Sequence, residues 1–278
     1  MINGCQMSIK KILVTGSSGT IGTRLCEKLL EDGYEIIGAD WKPNKWNNKI
    51  NELTINIDLR NQEDLVNKLP KDVDLIIHLA ANARVYDLVV NPNLAHDNFR
   101  TLFNVLEFAR LSNIKRFIFA SSREVYGDSE RFIHHEDEAY VKNCESTYTA
   151  SKIGGEALVH AYKKCYQIDF LIFRFSNVYG MYDDSDRVIP KFIKLAKENK
   201  DLTVFGEEKL LDFCYIDDTI LGIKKGVGEF EKVKNDVFNI SYGQGISIRS
   251  VAQLIKELME KNININVKES RTGEVIKY

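Results

Sequence analysis

Apolar runs and helix-spaced apolar positions take turns along the chain as far as residue 175. KKILVT (10–15) is a short, β-rich apolar run, and TIGTRLCEKLLEDG after it sets Ile21, Leu25, Leu29 and Leu30 at helical spacing before Gly33 closes the helix. YEIIGAD (34–40) and ELTINIDL (52–59) read as a second and third strand. The pattern then predicts a helix over 61–69, the strand VDLIIHLA (73–80), a helix from about 93 to 112 and the strand RFIFAS (116–121). A helix from about 146 to 166 and the strand DFLIFRF (169–175) complete the series. The strands are continuous apolar runs rather than alternating ones, as expected of a parallel sheet covered on both faces. The predicted fold is α/β, with a doubly wound parallel sheet.

After residue 176 the rhythm loosens. RVIPKFIKLAKENK reads as a helix, LTVFG (202–206) as a strand, and LLDFCYIDDTILGIKKGV as a strand running into a helix. VFNIS (237–241) has the composition to rejoin the main sheet, SIRSVAQLIKELMEK is a capped amphipathic helix, and INVKES is an edge strand. The expected organisation is a first domain over 1–175 and a small C-terminal α/β lobe over 176–278, with 212–241 returning to the main sheet. A cleft between the two would lie at the carboxyl ends of the strands, where open α/β sheets bind ligands.

Composition narrows the function classes. The 278 residues are 44% hydrophobic and 28% charged, ordinary for a globular protein. A net charge of −2 gives no basis for a nucleic-acid or membrane-surface partner. No apolar run approaches the ~18 residues of a membrane helix, and MINGCQMSIKK lacks the apolar core of a signal peptide. Cys5, Cys26, Cys144, Cys165 and Cys214 are scattered, as free thiols in a reducing cytoplasm would be. His134 and His135 sit in a polar stretch without a cysteine partner, so they read as a surface loop, and no metal is expected.

The first candidate chemistry lies in VTGSSGTIGTRL (14–25). Gly16, Gly19 and Gly22 fall between a strand and a helix, in the first βα unit. Gly16 permits a tight turn, Gly19 lets the backbone approach a pyrophosphate, and Gly22 lets the helix pack on the strand. The helix start at Thr20 and Ile21 offers unpaired N–H groups and the positive end of its dipole to an anion. The second strand ends at Asp40, whose carboxylate suits the hydroxyls of an adenosine ribose and repels a 2′-phosphate. That choice favours NAD over NADP, although DWKPNK brings Lys42 and Lys45 nearby.

The spacing TGSSGTIG resembles the extended branch of the short-chain dehydrogenase/reductase superfamily, the nucleotide-sugar epimerases and dehydratases. DLRN (58–61), HLAANA (78–83), SSREVYG (121–127), YTASK (148–152), RFSNVYG (174–180), YIDD (215–218) and RTGEV (271–275) carry the resemblance along nearly the whole chain. It implies a Rossmann domain on which Asp58 and Leu59 flank the adenine. Leu79, Ala80 and Ala81 would line the cofactor, with Asn98 supporting it from the long helix. Phe175 and Ser176 would lie near the nicotinamide.

YTASK sets Tyr148 and Lys152 four apart, on one helix face. A tyrosine hydroxyl ionises near pH ~10 and is a poor base at neutrality, but an adjacent ammonium favours its phenolate. Tyr148 is thus the expected general base, acting on a sugar hydroxyl as the carbon beneath gives hydride to NAD⁺. In the family the lysine also holds the nicotinamide ribose, and Ser122 would hydrogen-bond the reacting hydroxyl. Sugar 4,6-dehydratases of this family place Asp-Glu directly after that serine or threonine, whereas this chain has Arg123 and Glu124. Arginine holds its proton too tightly to protonate a leaving hydroxyl, so dehydration is disfavoured. Glu124 keeps decarboxylation of a UDP-uronate open; its alternative reading is a partner for Arg123 or a solvated carboxylate.

The same resemblance sets Asn177 at the sugar diphosphate and lets Arg187 and Val188 close over the substrate. Val204 and Phe205 would run along the nucleobase, and Arg271 would clamp the diphosphate. One departure is Leu211, at a position where many members of the family carry a diphosphate-binding arginine; Lys209 or Arg84 are the candidates to compensate. Members also usually run on past RTGEV, so a shortened C-terminus is expected. The reading is an NAD-dependent epimerase acting at C4 of a UDP-hexose, and a homodimer through a four-helix bundle of the helices near 93–112 and 146–166. Its rivals are a UDP-glucuronate decarboxylase or 4,6-dehydratase, a nucleotide-sugar reductase, and a non-catalytic NAD(P)-sensing module.

Overall fold

The continuous apolar runs pair side by side in a computed structural model of the chain, which describes residues 9–127, 129, 131, 133–206 and 210–269. The chain order opens with β1 (Lys11–Thr15), α1 (Thr20–Glu31), β2 (Glu35–Asp40), α2 (Asn48–Glu52) and β3 (Thr54–Asn56). It continues through α3 (Gln62–Lys68), β4 (Leu75–His78), α4 (Val85–Val90), α5 (Asn93–Leu111) and β5 (Arg116–Ser122). A 3-10 turn at Arg123–Tyr126 leads toward α6 (Thr147–Tyr166) and β6 (Asp169–Phe175). There follow β7 (Asn177–Tyr179), α7 (Val188–Lys197), β8 (Leu202–Phe205), β9 (Leu210–Tyr215), α8 (Ile216–Gly228) and α9 (Phe230–Val233). The last elements are β10 (Asp236–Ile240), β11 (Gly245–Ser247), α10 (Ile248–Leu258) and β12 (Ile265–Lys268).

Seven of these strands form one parallel sheet in the order β10-β6-β5-β4-β1-β2-β3. All four residues of β4 and six of the seven in β6 are buried, which is why neither strand alternates in polarity. One face is covered by α3, α5 and α6, where Leu102, Val105 and Phe108 pack with Phe117, Phe119 and Ile172. On the other face α1 and α8 set Leu25, Leu29, Ile220 and Ile223 against Val14, Ile77 and Leu171. Each such side chain contributes roughly 1.5–3 kcal/mol by leaving water. The fold is therefore a doubly wound, Rossmann-type α/β fold. Strand order reverses between β1 and β4, and a ligand crevice belongs at their carboxyl ends.

The lobe has its own small core of Phe192, Ala196, Leu202, Val204, Val251, Ala252 and Ile255 between α7, α10 and β8. Its strands form a two-stranded parallel pair, β12-β8, and a three-stranded sheet, β11-β9-β7. The chain leaves the main sheet after β6 and re-enters it at β10, with Asp236 opposite Leu171 and Ile240 opposite Phe175. Several elements differ from the pattern-based reading, among them β9, which pairs with β7 and β11 so that within 212–241 only β10 rejoins the main sheet. The strand expected over 52–59 shrinks to Thr54–Asn56 because Asn47 accepts from the Ile50 N–H and caps α2 over Asn48–Glu52. The short helix α4 has no predicted counterpart, since its six residues leave Tyr86, Val89 and Val90 exposed and give no clean apolar face.

Candidate active site

The helices of this protein start in two ways. Asn61, Ser146 and Ser247 cap α3, α6 and α10 with side-chain oxygens, whereas α1 begins at Gly19 with no side-chain cap. Its first N–H groups are thus left for an external acceptor. Space there requires glycine. A Cβ on Gly22 would stand 2.0 Å from the Gly16 carbonyl oxygen, and Gly16 itself has φ +75 with its back against Ala80. Within the turn, the buried Ser18 hydroxyl has no hydrogen-bond partner, an atom placed for a ligand. Asp40 borders it, accepting from the Ser18 and Lys42 N–H groups at 3.0 Å each. Burial pushes its carboxyl above the ordinary aspartate value, against the pull of those backbone donors. These residues fit the pyrophosphate and adenosine ribose of a dinucleotide.

Two loops meet beside this turn. Trp46 and Tyr182 have ring centroids 5.7 Å apart, Lys45 pairs with Asp184, and the Tyr182 hydroxyl donates to Glu27 at 2.7 Å. Thr20 also donates its hydroxyl to the Tyr182 carbonyl at 3.1 Å. Of the two lysines raised by the sequence, Lys45 is committed to Asp184, while Lys42 lies over the Trp41 ring and its charge still acts on the Asp40 carboxyl. Asp58 is engaged by Arg60, which holds its carboxyl below the ordinary aspartate value. Leu59 is buried, and its carbonyl accepts from Asn104 at 2.9 Å. Leu79 donates its N–H to the Thr15 carbonyl, Ala80 backs onto Gly16, and Ala81 is exposed. Asn98 is buried on α5 and holds the loop after β4 through both main-chain atoms of Asn82. Phe175 is buried, and Ser176 donates to the Asp212 carbonyl at 2.7 Å.

Reactive side chains gather where β5 ends. Tyr148 lies near Ser122, and the Lys152 ammonium donates to the Ala120 carbonyl at 2.7 Å, 5.8 Å from the Tyr148 ring centre. All three are buried. Burial raises the Tyr148 phenol above its ordinary value; the Ser122 hydroxyl lowers it, Glu124 raises it, and Arg187 and Arg123 lower it. Burial lowers the Lys152 ammonium to about 8, against an opposing effect of Glu156, so it stays protonated at neutrality. Beneath them, the His78 ring nitrogen Nδ1 lies 2.8 Å from the Thr15 hydroxyl, and burial lowers that imidazole to about 3. A neutral, buried histidine of this kind supports the floor of the site and carries no charge in it.

Glu124 is buried and pairs with Arg123 at 3.0 Å. Arg123 also donates to the Asn177 side-chain oxygen at 3.1 Å, and the Asn177 amide donates to the Asp212 carbonyl at 2.8 Å. Arg187 starts α7 and donates to the Ala83 carbonyl at 3.2 Å. Val188 is half-buried beside it, and Arg84 stands exposed at the start of α4. On β8 the Val204 side chain is wholly buried in the lobe core, while Phe205 is half-buried. Leu211 likewise packs into that core, where a guanidinium would be desolvated. Arg271 and Lys209 lie outside the described residues. Among the described residues no cluster of histidine, cysteine or acidic side chains has the grouping of a metal site, and no helix is long and apolar enough to cross a membrane.

Two residues of the site went unnoticed in the sequence. Glu156 lies four positions beyond Lys152 on the same helix side, a spacing that was there to be read. His78 ends an otherwise apolar strand, where its pairing with Thr15 depends on strand register alone.

A glycine-rich turn, a buried acid at the end of β2 and a Ser-Tyr-Lys group on a doubly wound sheet are the features of a dinucleotide-dependent enzyme of the extended short-chain dehydrogenase/reductase class. The chain belongs to the NAD-dependent epimerase/dehydratase family, whose model matches residues 12–241. It is 32% identical to an uncharacterised UDP-glucose epimerase of Bacillus subtilis, over 95% of this chain and 87% of that protein. It is 31% identical to the UDP-glucuronate 4-epimerase of Thermodesulfobacterium geofontis, over 90% of this chain and 80% of that protein. Among solved structures, it resembles the UDP-glucose 4-epimerase of Thermotoga maritima crystallised with UDP-glucose. The TM-score is 0.87 at 28% identity, covering 96% of this chain and 88% of the other.

Proposed function

We propose that the protein is a UDP-sugar 4-epimerase acting on a hexose, through a 4-keto intermediate. The observation that carries this reading is the buried group of Ser122, Tyr148 and Lys152 at the end of β5, with the Lys152 ammonium 5.8 Å from the Tyr148 ring centre. Bound NAD supplies the oxidant that takes the sugar to its ketone and the reductant that returns it. Gly16, Gly19, Thr20, Ile21 and Gly22 would hold its pyrophosphate, Asp40 its adenosine ribose, and Lys152 its second ribose. Tyr148 takes the proton of the C4 hydroxyl, and Ser122 steadies that oxygen as it becomes a carbonyl. Lys152 favours the phenolate by its charge. In the second half the same tyrosine returns the proton, so no net acid or base is consumed.

The Arg123–Glu124 ion pair argues against dehydration and decarboxylation, because the carboxylate nearest the serine already has a cationic partner. Arg187, Arg84 and Arg271 are the candidates for the diphosphate, in place of the arginine that Leu211 lacks. We also propose a homodimer through α5 and α6, on which Phe99, Phe103, Leu111 and Tyr166 stand exposed. Chromatography with mass detection decides the reaction. The purified protein is incubated with UDP-glucose, UDP-N-acetylglucosamine, UDP-glucuronate and dTDP-glucose. A new peak of unchanged mass is expected; loss of water or carbon dioxide overturns the epimerase reading and makes Glu124 catalytic.

A further inference from the structure

Tyr148, Lys152 and Glu156 follow one another at intervals of four along one side of α6 and are 6%, 6% and 8% exposed. Glu156 is the only acidic residue of that helix. An ionised carboxylate withdrawn from water is costly unless charge and hydrogen bonds compensate it. Here they do. Its Oε1 accepts from the Ser121 hydroxyl at 2.5 Å and Arg174 Nε at 2.9 Å, and its Oε2 accepts from Arg174 Nη2 at 2.7 Å. The remaining arm of Arg174 donates to the Tyr126 hydroxyl at 3.0 Å and the Glu136 carbonyl at 2.6 Å. Tyr126 in turn donates to Asn239 at 2.6 Å. One buried carboxylate therefore ties the catalytic helix to β5, to β6, to the turn bearing Glu124 and, through Tyr126, to β10.

Apolar packing brings α6 close to the sheet; a Cβ on Gly155 would meet the Phe119 ring at 2.8 Å. Such contacts are non-directional, whereas a bidentate arginine–carboxylate pair fixes angle as well as distance. Ser121 stands immediately before Ser122, which is buried near Tyr148. We propose that Glu156 is a positioning residue of the reaction: its pairing with Ser121 and Arg174 sets the rotation of α6 that brings Tyr148 onto Ser122 and Lys152 beneath the ring. This inference rests on the reading of Tyr148 as the proton acceptor.

Charge adds to geometry. Glu156 favours the Lys152 ammonium against its burial. The other titratable or charged groups near Lys152 are Tyr148 on its own helix and His78 on β4. Those near Tyr148 are Glu124 and Arg123 on the 3-10 turn and Arg187 at the start of α7. Removing the Glu156 charge lets Lys152 lose its proton at lower pH, and a neutral lysine no longer favours the phenolate.

The test compares NAD-loaded parent, Glu156→Gln and the double variant Glu156→Gln/Arg174→Met, in which methionine fills the arginine's space without charge. Turnover and KM are followed across pH with the UDP-sugar the parent accepts. In Glu156→Gln the expected result is kcat lower by roughly tenfold or more with KM within about twofold, and an alkaline limb displaced to lower pH. The double variant regains thermal stability but keeps the displaced limb. A second readout is the titration of the Lys152 ammonium itself, followed by NMR of isotope-labelled lysine and assigned by difference from Lys152→Met; it moves to lower pH in both variants. Loss of Tm alone, with limb and Lys152 titration unchanged in both, overturns the proposal, as does recovery of the parent profile in the double variant. Should the parent turn over no sugar, the functional reading fails by itself, and the Lys152 titration still decides whether Glu156 acts on that site.

Discussion

On the proposed function, the glycine turn and the C-terminal lobe would bind their ligands with different materials. Around α1 the contacts are main-chain N–H groups, glycine space and one buried acid, all set by the seven-stranded sheet. The lobe has a small core of its own and would contribute side chains at loop and helix starts, such as Arg187, which donates to the Ala83 carbonyl. Backbone binding tolerates little change, because a single Cβ on Gly22 would clash with Gly16. Side-chain binding can be rewritten one residue at a time. The difference teaches where a single substitution is costly and where it is tolerated.

The comparison is best broken at the chemistry itself. Tyr148→Phe removes only a hydroxyl, so turnover is expected to fall by about 10²–10⁴-fold while NAD retention and Tm stay near the parent's. Turnover at parental rates would remove Tyr148 from the mechanism. Phe192→Ala opens the lobe core and is expected to destabilise by about 3–5 kcal/mol. Denaturation with two probes should then show the lobe loosening first and raise KM for the sugar nucleotide with NAD still bound. A single unaltered transition would show that the lobe has no separate stability.

A pH experiment sharpens the contrast from the sheet side. The His78 imidazole is lowered to about 3 in the fold and titrates near ~6.5 when unfolded. Between those values the unfolded chain binds a proton that the folded chain refuses. The stability is therefore full above the unfolded value and declines as pH falls toward the folded one, by about 1.4 kcal/mol per unit. His78→Asn should flatten the Tm profile between pH ~6.5 and ~5; an unchanged slope would assign the acid sensitivity elsewhere. The smallest effect is expected at Ser146, whose hydroxyl caps α6 by accepting from the Thr149 N–H at 3.0 Å. Ser146→Ala should cost about 1 kcal/mol by urea unfolding, and its catalytic cost should be small because Glu156 holds the helix from its middle.

The sheet and its order of strands and helices were legible because β4 and β6 are buried on both faces and so appear as unbroken apolar runs. Helices α5 and α6 were equally plain, being long and clearly periodic. Short elements were not: α2 depends on the Asn47 side chain turning back onto Ile50, a local bond with no periodic signature. In the site, Gly16, Gly22 and Asp40 were readable because the turn needs those residue types, and Tyr148 with Lys152 because helical spacing puts them together. Thr15 with His78, and Glu156 with Ser121 and Arg174, were not. Those partners are far apart in sequence and meet only when strand register is fixed.

The re-entry of β10 into the main sheet has a consequence for synthesis. β6 pairs with β5 on one side, but its other edge waits for Asp236–Ile240. About sixty residues of lobe and helix separate the two, and at roughly 5–20 residues per second a ribosome takes several seconds to deliver the missing strand. Throughout that interval β6 presents an open row of backbone groups, the kind of edge to which another chain can add. The nascent protein is most vulnerable to wrong pairing then, and chaperone demand should peak between emergence of β6 and arrival of β10.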